Sequence, residues 1–375
     1  MITHYRFIYL YLFFLLVIPK VVSNDINNLT IPNGFEINII ANNIESPRQM
    51  TETDMGHIIV GSKNGNKVIA LIDTNNDGVF EEQLVVANNL QNPTGVTYYM
   101  KDLYFSEIDK IWVIKNIDAW IESNEKTLPN KEIYMDNLPS ETWHGFKYID
   151  FGPDGNLYIP VGVPCNICLQ PQTKDSRFAA IHKYENGELV TIADGVRNSV
   201  GFDWHPITKK LYFSDNGRDW LGDNSPSCEL NVVENEGSFY GYPYKHAKNV
   251  IDPEYGNLIP NVDREFIDPI AELGPHVAPL GIAFYDREVF PTKYHNSVFV
   301  ALHGSWNRTK KSGYKVVFVQ LDDQGNYIRQ EDFITGWLLD EKVWGRPVSP
   351  FVLRDGSMLI SDDYYDVIYK ITYKG

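Results

Sequence analysis

The segment 144-HGFKYIDFGPDGNLYIPV-161 decides the fold, because it contains two short strands joined by a tight turn. Asp-Gly and Asn-Gly turns between alternating or apolar runs are typical of β-hairpins. Five further segments repeat this outline of a polar opening, a strand, a turn and a second strand: 47–61, 93–106, 197–215, 279–301 and 346–362. With no long amphipathic helical stretch between them, the six copies predict an all-β protein. The expected architecture is a six-bladed β-propeller with four-stranded antiparallel blades.

The length of the chain fits this architecture. At 375 residues it exceeds the size at which a single layered core usually stops growing, and radial repetition overcomes that limit. A strand at 35–40 precedes the first opening, and we expect it to close the ring by joining the last blade. No linker is visible, so residues 24–375 are predicted to form one domain. Insertions at 164–178, 218–230 and 244–276 are expected to cover one face.

The first residues resemble an export signal. Arg6 is followed by an apolar run at 7–18, and small residues precede Asn24. Residues 1–23 are therefore predicted to be a cleaved signal peptide, with an uncleaved anchor as the alternative, and the protein is expected in the periplasm or outside the cell. Removing this segment, which carries two cations and no acids, takes the net charge from −16 to −18. So acidic a surface argues against nucleic acid as a partner, and no stable membrane insertion is expected.

The chain has three cysteines, Cys165, Cys168 and Cys228. The Cys-Asn-Ile-Cys sequence is compatible with redox or zinc chemistry in a cytosolic protein, but zinc would need a second pair of ligands. In an oxidising compartment a small-loop disulfide between Cys165 and Cys168 is the favoured interpretation. Cys228 would then be free and buried.

The residues that open the repeats should converge on the propeller axis, because the innermost strand of each blade lines the channel. They are mostly cationic or amide side chains: Arg48, Gln49, His144, Arg197, Asn198, His276 and Arg346. A group of cations in so acidic a chain indicates a concave site for an anionic ligand. The alternative is that each arginine pairs with an internal carboxylate. His144 is the candidate for acid–base chemistry, because imidazole titrates near neutral pH.

A second candidate site lies in the run 73-DTNNDGV-79, whose spacing of oxygen side chains on a tight turn is typical of calcium loops. Asp73, Asn75 and Asp77 are the predicted ligands. The twelfth position is Leu84 rather than a carboxylate, so Glu81 or Glu82 would have to substitute. An ordinary Asp-Gly hairpin turn is the alternative.

From about residue 31 to its end, the chain resembles the sorbosone dehydrogenase-like branch of the soluble quinoprotein sugar dehydrogenases. These enzymes are six-bladed propellers that use pyrroloquinoline quinone (PQQ) and calcium. The motifs that carry the resemblance are WHGF at 143–146, FGPDG at 151–155, GVRNSVG at 195–201, DNGRD at 215–219, HGSWNR at 303–308 and WGRP at 344–347.

The resemblance implies roles for individual residues. His144 matches the general base, Arg197 the arginine beside the reactive quinone carbonyls, and Asn198 its neighbour at the cofactor. Backbone carbonyls of Gly217 and Arg218 would help to hold the calcium ion. The predicted cofactor-binding residues are Arg197, Asn198, His276, Arg308 and Arg346. The glucose dehydrogenases carry a second arginine where this chain has Val348.

The predicted function is therefore a PQQ- and calcium-dependent dehydrogenase, a sugar or sorbosone dehydrogenase. It would oxidise a sugar or a sugar-derived aldehyde or alcohol by hydride transfer to the quinone. Leu169 follows Cys168, so the chain lacks a haem-attachment Cys-x-x-Cys-His sequence. Electrons would pass to an external acceptor, a cytochrome or a quinone. Two other functions stay open at this point: a calcium-dependent hydrolase of the lactonase type, and a non-catalytic propeller that binds a glycan or partner.

Overall fold

The computed structural model describes residues 26–123, 125, 127–259 and 265–375. The predicted signal peptide at 1–23 lies outside these residues. Within them, six antiparallel sheets surround one axis, which confirms the all-β, six-bladed propeller. The helical segments are short: Ile117–Glu122, Gln170–Thr173, Ile26–Asn28, Gly256–Leu258 and Thr292–Tyr294. No helix of the described part of the chain is long and apolar enough to cross a membrane.

Each blade has four strands, which we give from the axis outward. Blade 1 contains Pro47–Glu52, Ile58–Ser62, Val68–Ile72 and Glu82–Ala87. Blade 2 contains Val96–Tyr99, Asp102–Ser106, Ile111–Ile114 and Glu132–Met135. Blade 3 contains Asp150–Phe151, Leu157–Val161, Ala180–Glu185 and Glu188–Asp194. Blade 4 contains Phe202–Trp204, Leu211–Asp215, Ser227–Val232 and Ala271–Pro275. Blade 5 contains Pro279–Phe284, Val298–Leu302, Lys315–Leu321 and Tyr327–Ile334. Blade 6 contains Pro347–Val352, Met358–Asp362, Val367–Tyr373 and Phe35–Asn42.

Some strands differ from the prediction. Blade 3 gains a short fifth strand, Ser238–Phe239, which pairs in parallel with Glu188–Asp194. The inner strand of blade 3 is only Asp150–Phe151, because the amides before it bond to side chains: Lys147 N donates to Thr94 Oγ1, and Ile149 N to Gln49 Oε1. Two small hairpins lie outside the blades, formed by Lys245–His246 with Val250–Ile251 and by Leu338–Leu339 with Lys342–Val343.

The ring closes as the sequence predicted. Phe35–Asn42 pairs antiparallel with Val367–Tyr373 and so becomes the outer strand of blade 6. The Phe35 ring packs against four aromatic rings of blades 5 and 6. It meets three of them edge to face and one at a tilt: Phe290, Tyr294 and Phe333, then Tyr373. Hydrogen bonds and aromatic packing therefore both hold the first strand against the last.

The hydrophobic core is divided into wedges, one at each junction between neighbouring blades. A wedge between blades 3 and 4, for example, packs Ile181 against Phe202 and Phe213. Equivalent clusters occupy the other five junctions. Because a blade has neighbours on both faces, second strands such as Leu157–Val161 and Val298–Leu302 are buried at every position. This explains their continuous apolar sequences.

The antiparallel register determines which residues meet at the axis. Pro279 pairs with Leu302 and Pro347 with Asp362, so the start of an inner strand and the end of a second strand lie at the same end of a blade. We call this end of the channel the axial mouth. Residues just before the inner strands and just after the second strands both border it.

The predicted insertions meet around the axial mouth. The 164–178 insertion contacts the connection at 216–226 through Asn166 and Asp219. Tyr242, just before the third insertion, contacts the first insertion, and Asp252 within the third insertion contacts the connection at 216–226. The second insertion is shorter than predicted, because Ser227–Val232 is the third strand of blade 4.

Candidate active site

His144 stands at the axial mouth just before the inner strand of blade 3. Its Nδ1 lies 2.8 Å from the carbonyl oxygen of Val163, so the neutral ring donates from Nδ1 and leaves Nε2 unprotonated. Burial, and next the charge of Arg197, lower the pKa of His144 to about 3. The imidazole is therefore neutral at physiological pH and can accept a proton at Nε2.

Arg197 is held mainly by neutral acceptors. Its Nε donates to Asn166 O at 2.9 Å, its Nη2 to Asn166 Oδ1 at 2.9 Å, and its Nη1 to Asn216 O at 3.0 Å. Asp219 is the nearest carboxylate, with Oδ2 3.6 Å from Nη2. Burial lowers the pKa of Arg197, and Asp219 opposes this shift. The guanidinium, 3% exposed, therefore keeps a charge that one carboxylate only partly offsets.

Asp215 fixes the backbone that carries Arg197. Its two carboxylate oxygens accept from the amides of Arg197 at 2.9 Å and Asn198 at 2.6 Å. Asp362, at the equivalent end of the blade 6 second strand, accepts from the amide of Arg346 at 2.9 Å. Burial raises the pKa of each of these carboxyl groups to about 6. The Ser-Asp sequence that ends both second strands is the sequence signal for this support.

A cavity of about 190 Å³ joins these residues. It is lined by residues of blades 3, 4 and 5: His144, Arg197, Asn198, Asn216, Gly217, Asp219, Cys228, His276, Ala278, Trp306 and Asn307. Five predicted site residues therefore share one cavity: His144, Arg197, Asn198, Gly217 and His276. His276 bonds through Nε2 to Gly222 O at 2.8 Å. Cys228, free and buried as predicted, lies in the wall.

Sequence reasoning missed three polar residues of this cavity, Asn216, Asp219 and Asn307. Asn307 Nδ2 donates to Asp219 Oδ1 at 3.0 Å, while the buried Oδ1 of Asn307 has no hydrogen-bond partner among the described residues. An unpaired buried acceptor is costly, so this oxygen is suited to a donor or cation of a ligand. Asn216 and Asp219 lie in the connection at 216–226, and Asn307 lies in the connection between the second and third strands of blade 5.

Gly162 allows the two sides of the cavity to approach each other. A Cβ at this position would lie 2.6 Å from Asn198 Oδ1, 2.7 Å from His144 Cβ and 2.9 Å from His144 O. Glycine is needed here for space. The absence of a side chain lets blade 3 bring His144 against Asn198.

A second cluster of charges occupies the axial mouth at blades 1 and 6. Arg48 Nη1 lies 2.8 Å from Asp363 Oδ2, and His303 Nε2 lies 2.6 Å from Asp363 Oδ1. Burial alone would raise the pKa of Asp363, but His303, Arg48 and Lys63 hold it below its usual range. Burial, and next Arg48, lower the pKa of Lys63. Lys63 was not predicted; it follows the second strand of blade 1.

Arg346 completes this cluster, with its Nε 3.0 Å from His303 O and its Nη2 2.6 Å from Gly304 O. We call Arg48, Lys63, Arg346 and Asp363 the cationic cluster; it contains three cationic side chains and one carboxylate. Blade 5 connects the cluster to the cavity, because His303 N donates to the carbonyl of Ala278, a lining residue.

Two predicted residues point away from the cavity. Arg308 bonds to Asp223 O, Lys310 O and Asn224 Oδ1, and it is outside the lining. The guanidinium of Arg218 turns toward Asp252, with Nη1 2.5 Å from Oδ2, so only its backbone remains near the cavity beside Gly217. Val348, in place of a second arginine, packs against Val200 and Leu280 on the axis.

The predicted calcium loop brings oxygen ligands together on the surface, away from the axis. Carboxylate oxygens of Asp73, Asp77 and Glu81 lie within 4.8 Å of one another. Glu81, rather than Glu82, therefore faces the other two. Asn75 Oδ1 accepts from the amide of Asp77 at 2.8 Å, while its Nδ2 donates to Glu81. Calcium binding here stays a prediction.

Three exposed tryptophans surround the cavity opening: Trp143, Trp220 and Trp306 are 55%, 68% and 66% exposed. Trp306 lines the cavity and meets Trp220 edge to face, with centroids 5.6 Å apart. The Trp143 ring lies 5.8 Å from that of His144. We call these residues the tryptophan rim.

A larger cavity, of about 470 Å³, opens at the opposite end of the channel and contains none of the predicted site residues. Asp150 and Asp203 line it, and burial raises their pKa values to about 6 and about 7. We assign the chemistry to the axial mouth, because a base, cations and an unpaired acceptor meet there.

Known proteins share the sequence family and the fold of this chain. The sequence matches the TrAA12-like family over residues 29–255 and 261–336. An uncharacterized protein of Borreliella burgdorferi is 38% identical over 357 residues, which cover 93% of this chain and 92% of that protein.

Solved structures share the fold at low sequence identity. The calcium structure of the Trichoderma reesei carbohydrate-active enzyme of family AA12 gives a TM-score of 0.76 at 19% identity, covering 92% of this chain and 97% of that one. The holo form of the pyranose dehydrogenase PQQ domain from Coprinopsis cinerea gives 0.75 at 19% identity, with the same coverage. The PQQ-bound aldose sugar dehydrogenase from Streptomyces coelicolor gives 0.64 at 17% identity, covering 92% and 99%. The chain belongs to the TrAA12-like family, and the predicted resemblance is confirmed.

Proposed function

We propose that this member of the TrAA12-like family is a PQQ- and calcium-dependent dehydrogenase of sugars or sugar-derived alcohols and aldehydes. One observation carries the proposal. His144 shares a cavity with the buried cation Arg197 and the unpaired acceptor Asn307 Oδ1. Because Nδ1 of His144 bonds to Val163 O, Nε2 is available to accept a proton.

The charges at the axial mouth fit the proposed cofactor. PQQ carries three carboxylates, and the cationic cluster has three cationic side chains, Arg48, Lys63 and Arg346, beside the carboxylate of Asp363. The lowered pKa of Lys63, caused first by burial and then by Arg48, indicates a cation that an anionic ligand would stabilise. Arg48, Lys63 and Arg346 would bind carboxylates on one side, and Arg197 with Asn198 would contact the cofactor on the other.

Calcium would be held beside the cofactor. Gly217 lines the cavity, and we assign its backbone carbonyl and that of Arg218 to the ion. Asn307 Oδ1 is a further available oxygen of the kind that calcium prefers.

His144 would act as the general base. Its Nε2 takes the hydroxyl proton of the substrate, and the resulting imidazolium is stabilised through the Nδ1–H bond to Val163 O. When bound, PQQ supplies the two-electron acceptor for the substrate hydride. Arg197 would stabilise negative charge at that end of the cavity, since its guanidinium is already oriented by three neutral acceptors.

The tryptophan rim supports a sugar as the substrate. Exposed indoles provide flat apolar faces for the C–H faces of a pyranose ring, with polar groups of the cavity beside them. Electrons would leave through an external cytochrome or quinone. We also propose export to the periplasm or beyond; N-terminal sequencing of the mature protein should begin near Asn24.

The alternatives have weaker support. A lactonase-type calcium site would need free axial carboxylates, yet Asp219 is engaged by Asn307 and lies 3.6 Å from Arg197. A non-catalytic propeller would have its axial arginines neutralised by carboxylates. Here Arg346 bonds to the carbonyls of His303 and Gly304, and Arg197 mainly to neutral acceptors.

The test is reconstitution with PQQ and CaCl₂. PQQ binding is followed by quenching of tryptophan fluorescence, and turnover by dye reduction with a panel of aldoses and sugar alcohols. The variant His144→Ala should bind PQQ within about threefold of the parent and lose roughly 10²- to 10⁴-fold in kcat. His295→Ala, which removes a histidine bonded to Phe290 O away from the axis, is the control.

A folded protein that does not bind PQQ would overturn the proposal. Hydrolysis of lactones with calcium alone would favour the hydrolase. Unchanged turnover in His144→Ala would remove that residue from the mechanism.

A further inference from the structure

We propose that Asn166 is a positioning residue for Arg197, and that the Cys165–Cys168 disulfide holds Asn166 in place. The importance of this for turnover rests on the proposed function, in which Arg197 stands at the reacting end of the cofactor. The contact geometry itself does not depend on that function.

Asn166 bonds to the guanidinium of Arg197 and to the backbone of Asp219. Its backbone oxygen accepts from Arg197 Nε, and its Oδ1 accepts from Arg197 Nη2, both at 2.9 Å. The same Oδ1 accepts from the amide of Asp219 at 2.8 Å, and Nδ2 donates to Asp219 O at 3.1 Å. One side chain thus sets the guanidinium of Arg197 relative to the backbone of Asp219.

The disulfide forms the ring in which Asn166 lies. Cys165 and Cys168 are bonded, as predicted for an exported chain, and Asn166 is inside the loop they close. The loop is also fastened to the buried Tyr242, whose hydroxyl accepts from Cys168 N at 2.9 Å and lies 3.4 Å from Cys165 Sγ. The bond restricts the backbone on both sides of Asn166, so both oxygens are presented to Arg197.

Loss of this support has a defined consequence. Arg197 would keep its bond to Asn216 O, while its Nη2 would lose Asn166 Oδ1. The nearest carboxylate, Asp219 Oδ2, is 3.6 Å from Nη2 and would attract it. The guanidinium would then turn toward Asp219, away from a position that stabilises negative charge on the ligand.

The first test is independent of turnover. In the cofactor-free protein, the ¹⁵Nη2–Hη2 signal of Arg197, assigned with Arg197→Lys, should be sharp and slow to exchange, because Nη2 donates to Asn166 Oδ1. In Asn166→Ala and in Cys165→Ser/Cys168→Ser it should broaden or exchange at least roughly tenfold faster, because the bonded states are less populated. Gln172→Ala is the matched control. Gln172 lies in the same insertion and bonds to Tyr242 O, without a contact to Arg197.

The second test measures kcat, KM and PQQ affinity in a double-mutant cycle. Asn166→Ala should lower kcat roughly tenfold or more, with KM for the sugar within about twofold. Cys165→Ser/Cys168→Ser should act in the same direction, and the triple variant should be no worse than Asn166→Ala within about twofold, because both changes act on one contact. Thermal unfolding and far-UV circular dichroism establish that each variant is folded.

An unchanged Hη2 signal in Asn166→Ala would overturn the inference. If the disulfide variant does not fold, Asn166→Ala, which keeps the bond, decides alone. If the losses in kcat from Asn166→Ala and from Cys165→Ser/Cys168→Ser were fully additive in the triple variant, the disulfide would act through a contact other than that between Asn166 and Arg197. If the parent fails to bind PQQ, the proposed function fails, while the Hη2 measurement still decides the positioning of Arg197.

Discussion

Replacement of Gly162 by alanine should disturb the candidate site directly. The added Cβ would lie 2.7 Å from His144 Cβ and 2.6 Å from Asn198 Oδ1, whereas ordinary contacts begin at 3.4 Å. If the backbone stays in place, His144 must retreat by about 0.7 Å and Asn198 by about 0.8 Å, and a displacement near 1 Å at a reacting group can cost roughly 100-fold in rate. We therefore expect kcat to fall roughly 10- to 100-fold. Overpacking should also lower the free energy of unfolding by about 1–3 kcal/mol.

The assay compares kcat and KM in the reconstituted enzyme with urea unfolding of the cofactor-free protein. Gly152→Ala is the control. It overpacks the same blade, with Cβ 2.5 Å from Tyr158 Cε2, but at the hairpin turn away from the axial mouth. Gly152→Ala should lose a similar free energy of unfolding and keep kcat. If Gly162→Ala retained kcat within about twofold and unfolding free energy within about 0.5 kcal/mol, the close approach of His144 and Asn198 would not hold.

Three further predictions concern the ring closure at Phe35, the Asp73 loop and the environment of the His144 ring. Phe35→Ala should lower the free energy of unfolding by about 3–5 kcal/mol in urea titrations, because it empties the site between four aromatic rings; a loss below about 1 kcal/mol would contradict this packing. If the Asp73 loop binds calcium, saturating CaCl₂ at about 100 times Kd should stabilise the protein by about 2.7 kcal/mol, and Asp77→Asn should abolish that gain; an equal gain in both would place the ion elsewhere. In the cofactor-free protein, the NMR signals of the His144 ring should not titrate between pH 8 and pH 5, because burial lowers its pKa to about 3; a midpoint near 6.5 would refute this environment. Since the folded-state pKa lies below the unfolded value near 6.5, this histidine favours the folded state above pH 6.5, and that contribution is lost as the pH falls toward 3.

The repeat pattern could be predicted because the second strands are buried on both faces, so their sequences are continuous apolar runs between turns. The same reasoning placed His144, Arg197 and Asn198 together, since residues that open inner strands converge on the axis. It missed Lys63, which follows a second strand. The antiparallel register brings the residue after a second strand to the axial mouth as well. A prediction that used the residues after second strands, besides those that open inner strands, would have included Lys63.

Residues in insertions could not be placed from the repeats. Arg308 was predicted at the cofactor, yet its guanidinium bonds to Asp223 O and Asn224 Oδ1. Asn307, its neighbour, lines the cavity instead. Both residues lie in the connection at 303–314, which bonds to the connection at 216–226. Contacts between these two loops therefore determine whether Asn307 or Arg308 faces the ligand.

The pairing of Phe35–Asn42 with Val367–Tyr373 has a consequence for biosynthesis. The partner of the first strand is made more than 320 residues later, which at roughly 5–20 residues per second means a delay of tens of seconds. Throughout translation, therefore, the emerging chain has an unpaired β-strand near its beginning. Such an edge can pair with other chains, so a polypeptide truncated before Val367 would tend to aggregate, and a chaperone that shields residues 35–42 would protect the full-length product.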